Sequence, residues 1–139
     1  MQRVYSLLVD NNSGVLSRIS GLFTRRGYNI DSITAGVTAD PRFTRITIVS
    51  SGDEIILSQI EKQIAKLEDV IVVKVLKPEE SVYRELILVK IRANAQQRSE
   101  IVSIADIFRA KIVDAERESL VIELTGTQSK LEAFLQLLD

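Results

Sequence analysis

The sequence predicts an α+β protein built from two tandem ferredoxin-like βαββαβ modules, the second lacking its last strand. Three observations carry this. Apolar runs and helical periodicities follow the order strand, helix, strand, strand, helix, strand before Pro78. A polar, proline-containing stretch, Lys77-Pro78-Glu79-Glu80-Ser81, then breaks the pattern. Beyond it the order begins again and stops at Asp139, where the second helix of that copy ends. The expected division is residues 1–77 for the first module, 78–84 for a linker and 85–139 for the incomplete second module.

The first strand is expected over Arg3–Val9, where spaced and then continuous apolar residues (Val4, Leu7, Leu8, Val9) suit a central strand. A helix follows over Val15–Arg26: Val15, Leu16, Ile19, Leu22 and Phe23 recur at three- and four-residue steps, while Ser17, Arg18, Thr24 and Arg25 fall largely outside the stripe. Gly27 is its expected stop, after two arginines that suit the negative end of the dipole. Ile30–Val37 and Thr44–Ser50 read as strands joined through Asp40 and Pro41, since a proline that cannot donate to a ladder belongs in the turn. Ile33, Ile46 and Ile48 are expected in the core. The second helix is expected over Asp53–Leu67, with Ile56, Ile60, Ile64 and Leu67 inward, and Val70–Leu76 closes the module as a β-branched strand.

The second module repeats the scheme. Leu86–Ala93 is an expected strand and Arg98–Arg109 a helix with Ile101, Ile104, Ala105 and Phe108 on one side. Lys111–Ala115 and Leu120–Leu124 are strands, and Ser129–Leu138 is a helix showing Leu131, Phe134, Leu135 and Leu138. With the closing strand missing, either a tail was removed or a neighbour completes the sheet. Modules this small have marginal cores, so another subunit is expected to cover the open edges, with a homodimer as the minimum.

The run Asp10-Asn11-Asn12-Ser13-Gly14-Val15-Leu16 joins the first strand to the first helix through a turn with no side-chain bulk at Gly14. Free amides at a helix start, together with the positive end of its dipole, make a carboxylate or phosphate site, and Asn11, Asn12 and Ser13 add small polar groups. The same residues are also what any helix start prefers as caps, so local chemistry leaves both readings open. Asn29, after Gly27 and Tyr28, is likewise open between shaping the helix exit and touching a ligand.

Composition narrows the function. The chain has 139 residues, 45% of them hydrophobic and 27% charged, and its 18 Lys and Arg nearly cancel 19 Asp and Glu, leaving −1. A neutral chain without a basic block lacks the footprint of a nucleic-acid binder. No apolar run approaches a bilayer span, and Met1 leads straight into a strand pattern, so a cytoplasmic protein is expected. There is no Cys, His or Trp, which removes disulfides, thiolate and imidazole metal sites and the commonest nucleophile and proton shuttle. No G-x-S-x-G, S-x-x-K or G-x-x-x-x-G-K motif is present, so the chain reads as a binder with no catalytic residue and no metal site of its own.

The string Asp10-Asn11-Asn12-Ser13-Gly14-Val15-Leu16-Ser17-Arg18-Ile19, with Gly21-Leu22-Phe23 and Arg25-Arg26-Gly27-Tyr28-Asn29-Ile30, resembles the ACT domain of the regulatory small subunit of acetolactate synthase (acetohydroxyacid synthase). Gly52-Asp53-Glu54 and Gln59-Ile60-Glu61-Lys62-Gln63 continue the likeness, and Arg84-Glu85-Leu86 with Leu88-Val89-Lys90-Ile91 is similar to the start of that family's C-terminal domain. Many ACT domains have Pro where Ser13 stands, so Ser13 matches this branch more closely than the superfamily.

The resemblance implies a non-catalytic regulatory subunit that binds and activates the catalytic subunit and confers feedback inhibition by valine or a related branched-chain amino acid. It implies no cofactor in this chain, the thiamine diphosphate, magnesium and FAD belonging to the catalytic partner. It also implies a homodimer in which ACT domains pair side by side with effector sites at the interface. Carried over residue by residue, Asn11, Gly14, Val15 and Leu16 would form the turn on one subunit, and Asn29 and Ile30 would come from the other. The family's usual C-terminal tail is missing, which puts contacts made by that tail in doubt. Two rivals stand beside this reading, a freestanding amino-acid sensor or transcriptional regulator and a small enzyme on a ferredoxin-like scaffold.

Overall fold

The computed structural model describes residues 1–138, and the chain divides into two compact units, Met1–Ser81 and a second one beginning at Val82. The first unit runs β1 (Gln2–Asp10), α1 (Val15–Arg26), β2 (Ser32–Val37), β3 (Phe43–Ser51), α2 (Glu54–Ala65) and β4 (Val70–Leu76). A short 3-10 turn, Pro78–Glu80, lies in the polar stretch before the second unit. The second unit follows with β5 (Glu85–Arg92), α3 (Ala95–Phe108), β6 (Lys111–Ala115), β7 (Ser119–Gly126) and α4 (Gln128–Leu138).

The first sheet is antiparallel in the order β2-β3-β1-β4, and the second, β5-β7-β6, reproduces it with the fourth position unfilled among the described residues. This is the expected α+β architecture. β1 lies between β3 and β4, and its Tyr5, Leu7 and Val9 face the helices and are buried with Ile46 and Ile48 of β3. The helices add Val15, Ile19, Leu22 and Phe23 from α1 and Leu57, Ile60 and Ile64 from α2. A separate core in the second unit gathers Ile101 and Ala105 of α3, Leu120, Ile122 and Leu124 of β7, and Leu131 and Phe134 of α4.

Four sequence expectations need correction. Ile33 lies on the helix-facing side of β2 but is 41% exposed, because β2 is an edge strand with a neighbour on one side only. On α2 the buried stripe begins at Leu57 instead of Ile56, which lies at the rim. On α4 Leu135 is turned outward, leaving Leu131 and Phe134 as the buried pair. α3 starts three residues early, at Ala95, because Asn94 and Gln97 form a reciprocal capping box that satisfies the first amides.

One buried polar contact ties the first unit together. The Tyr5 hydroxyl donates to the Leu57 carbonyl at 2.6 Å, joining the central strand to α2 across 52 residues of sequence. Burial pushes the Tyr5 phenol up to about 12, against an ordinary value of 10.0, with Arg3 nearby opposing the rise. The folded state therefore keeps this proton where the unfolded chain has lost it, and stability falls as the pH rises from about 10 to 12. Tyr5→Phe is expected to cost about 1 kcal/mol at neutral pH and to reduce that alkaline slope, measured by urea denaturation at several pH values.

Candidate functional site

The β1–α1 turn is held in place mainly by its backbone. Asp10 N–H donates to the Asp69 carbonyl at 2.9 Å, and Asn11 N–H to the Arg42 carbonyl at 2.8 Å. The turn is thereby suspended between the α2–β4 connection and the β2–β3 hairpin. Asn11 strengthens the second attachment: its Nδ2 donates to the Pro41 carbonyl at 2.9 Å, and its Oδ1 accepts from the Thr44 hydroxyl at 3.1 Å. The hairpin is itself braced by Arg42, whose guanidinium pairs with Asp40 at 2.6 Å.

Gly14 then enters the helix with φ +91°, a left-handed conformation that side chains rarely adopt, so the backbone favours glycine there. No side chain caps α1, in contrast to Asp53 on α2 and Asn94 on α3. The first-turn amides, which have no acceptor inside a helix, therefore face outward with the positive end of the dipole. The capping reading of Asn11, Asn12 and Ser13 is thus not the arrangement found.

Arg18 stands over this turn. Its Nε donates to Asp69 Oδ2 at 2.5 Å and its Nη2 to Asn12 Oδ1 at 3.3 Å. The guanidinium holds the Asp69 carboxyl below the usual carboxylate range, helped by the amide of Asn12. The sequence places Arg18 largely outside the apolar stripe and gives no sign of its pairing with Asp69, 51 residues away.

At its other end α1 stops as expected. Gly27 is left-handed at φ +69°, Tyr28 N–H reaches back to the Phe23 carbonyl at 2.9 Å, and the two rings meet edge to face with centroids 5.9 Å apart. Tyr28 is therefore the hydrophobic clasp of the helix end, a packing role. The clasp aims Asn29 at the C-terminal end of β3: the Ser50 hydroxyl donates to the Asn29 carbonyl, and the Asn29 side-chain amide donates to Asp31. Asp31 in turn accepts from Ser51 and from Gln2.

Of the expected site residues, the turn brings Asn11, Gly14, Val15 and Leu16 together, while Asn29 and Ile30 lie elsewhere. A helix of 12 residues separates the two groups, about 18 Å of rise. The sheet agrees, since Asn11 is bonded beside the Asp10 end of β1 and Asp31 beside the Gln2 end. Val15 differs from expectation, because its side chain is in the core and it offers the turn only its amide. Leu16 is half exposed and Ile30 partly so, which leaves these two as the apolar surface near the groups in question. Among the described residues no cluster of acidic, His or Cys side chains could hold a metal ion, and no helix is long and apolar enough to cross a membrane.

Comparison with known proteins decides the family. Residues 5–72 match the AHAS small subunit-like ACT domain and residues 84–139 match the small subunit of acetolactate synthase. The probable acetolactate synthase small subunit of Methanothermobacter thermautotrophicus is 48% identical over 97% of this chain and 81% of its own length. The chain belongs to the acetolactate synthase small-subunit family. The acetolactate synthase small subunit of Haemophilus influenzae is 47% identical over 99% of this chain and 85% of its own. The crystal structure of the acetolactate synthase small subunit from Thermotoga maritima superposes with a TM-score of 0.92 at 43% identity, covering 99% of this chain and 86% of that one. Small-subunit membership makes this a non-catalytic, regulatory chain that works with a catalytic subunit, in keeping with a site made of amides and amide side chains.

The Arg18–Asp69 tie has a defined acid limit. Because Asp69 titrates lower folded than unfolded, the tie is fully present above the ordinary carboxylate value of 3.8 and is lost as the pH falls through the lowered one. Carboxyl-carbon NMR titration is expected to place the Asp69 midpoint below 3.8, and a midpoint at or above that value would remove the pairing.

Proposed function

We propose that this chain acts as an effector-sensing homodimer that activates the acetolactate synthase catalytic subunit and makes it sensitive to valine or a related branched-chain amino acid. Thiamine diphosphate, magnesium and FAD belong on this reading to the catalytic partner. The observation that carries the proposal is the separation just described: the two halves of the expected site sit at opposite ends of one unit, beside a sheet edge that is free. Every residue of β2 is exposed, and β2 is an outer strand.

Antiparallel pairing of two β2 strands about a two-fold axis supplies the missing half. Such pairing sets the Ser32 end of one strand beside the Val37 end of the other. Val37 lies opposite Thr44, whose hydroxyl bonds Asn11, so the partner subunit's Asn29 and Ile30 arrive at the Asn11–Gly14 turn. Centred on Ala35, the pairing also stacks Ile33 on Val37 of the partner subunit, covering apolar side chains that are 41% and 60% exposed in one copy. An amino acid in this crevice would find the first-turn amides for its carboxylate, the Asn11 and Asn29 side-chain oxygens for its ammonium group, and Leu16 with Ile30 as a dry wall. An effector bound across the pair favours one pairing geometry, which is the differential affinity that control of a catalytic partner requires.

Titrating valine, leucine and isoleucine into the chain mixed with a catalytic subunit tests the whole reading: activation by the chain and inhibition by at least one of the three are expected. Gly14→Asp is expected to abolish the effector response while preserving activation. Its carboxylate would lie beside the Arg18 guanidinium, about where a ligand carboxylate belongs, and unchanged valine affinity by calorimetry would remove the turn from the site. Ile33→Lys is expected to raise the dimer dissociation constant roughly tenfold or more, since it replaces buried apolar area with a charge. Sedimentation showing an equally tight dimer would exclude pairing through β2.

A further inference from the structure

We infer that Arg18 is the side chain that receives the effector's carboxylate, and that Asp69 is the residue positioning it. The inference rests on the reading of the Gly14 turn as an amino-acid site and names the charged group that reading lacks. Its starting point is geometric. Arg18 lies one helical turn beyond Gly14, and side chains on a helix lean back toward its N-terminus, so the guanidinium comes to rest over the turn. A Cβ built on Gly14 would stand 3.1 Å from Arg18 Nη1 and 3.8 Å from its Cζ. The space that glycine leaves free is therefore filled by a cation.

The bonding of that cation is unequal. Nε is committed to Asp69 and Nη2 to Asn12, while Nη1, the nitrogen nearest Gly14, makes no hydrogen bond among the described residues. Nη1 is thus an open donor beside Gly14, at the start of a helix that no side chain caps. Asp69 is well placed to hold the guanidinium still. Its side chain is 17% exposed against 51% for Arg18, its carbonyl accepts from Asp10 N–H, and Asn12 Nδ2 lies 3.4 Å from its second oxygen.

Electrostatics points the same way. Cations ordinarily favour the C-terminal end of a helix, where the dipole is negative. Here a guanidinium stands at the positive end, and one carboxylate, Asp69, pairs with it. A second anion between Nη1 and the amides would be attracted by each, and a carboxylate there can accept a charge-assisted hydrogen bond from Nη1. An amide or ester of the same amino acid carries no such charge. Arg18 would therefore make the site selective for the free acid, whereas a purely structural tie between α1 and the α2–β4 connection would not discriminate between them.

The test titrates the purified full chain with L-valine and with L-valinamide, which keeps the side chain and ammonium group but has no carboxylate. The unmodified chain is expected to bind valine and strongly prefer it to valinamide. Arg18→Gln is expected to weaken valine about 10- to 100-fold while moving valinamide less than about twofold, so the preference collapses. Arg18→Lys keeps the charge without the guanidinium and is expected to fall between. An unchanged valine-to-valinamide ratio in Arg18→Gln, or equal weakening of both ligands, would overturn the assignment. Should Arg18→Gln fail to fold, an unchanged ratio in Arg18→Lys overturns it equally. Absence of valine binding by the unmodified chain would instead defeat the effector reading itself.

Discussion

The stiffness of α1 is the constraint on which the N-terminal unit turns. Both ends of this helix are fixed by glycines in left-handed conformations, Gly14 at the start and Gly27 at the stop, and its inner face is locked into the core by Val15, Ile19, Leu22 and Phe23. A rod held this way cannot fold its ends together, so the polar groups at Asn11 and Asn29 stay apart within one copy. The clasp of Tyr28 on Phe23 and the bond from Ser50 to Asn29 fix the exit as firmly as the β2–β3 hairpin fixes the entry. What each end does is set by what is brought to it from outside the unit.

Much of this was legible in the chain because period and punctuation agreed. The α1 boundaries came out at Val15 and Arg26 since an apolar stripe lies between two glycines, and β3 was readable from the strict alternation of Ile46 and Ile48. Where the two signals parted, reading failed. The start of α3 was placed late because Ala95, Gln96 and Gln97 carry no apolar period, although Asn94 with Gln97 is a recognisable capping box. Its stop, expected at Arg109, falls at Phe108, and Arg109 adopts the left-handed conformation with φ +59° that Gly27 supplies in the first unit. Alternation likewise cannot tell a central strand from an edge, and so Ile33 was assigned to the core.

At the candidate site the division is similar. The turn residues are contiguous and could be named together. Arg18 and Asp69 are 51 residues apart, and their meeting follows from the packing of α1 beside the α2–β4 connection, which no local pattern encodes. Gly14 also changes meaning in the fold. Its lack of a side chain serves the left-handed entry and the seat of a guanidinium at once, so the steric and electrostatic roles of this position cannot be separated by a substitution there alone.

The second unit carries a different kind of asymmetry, along β5. Its outer edge has no neighbouring strand among the described residues, and on the face away from the helices Leu86 and Leu88 are 56% and 64% exposed, followed by Lys90 and Arg92. Charges on a bare edge discourage stray strands from adding to it, while leucines invite them. One half of β5 is thus guarded and the other adhesive, so that self-association of misassembled chains would begin at Leu86 and Leu88, and gatekeeping substitutions to improve solubility belong at those two positions.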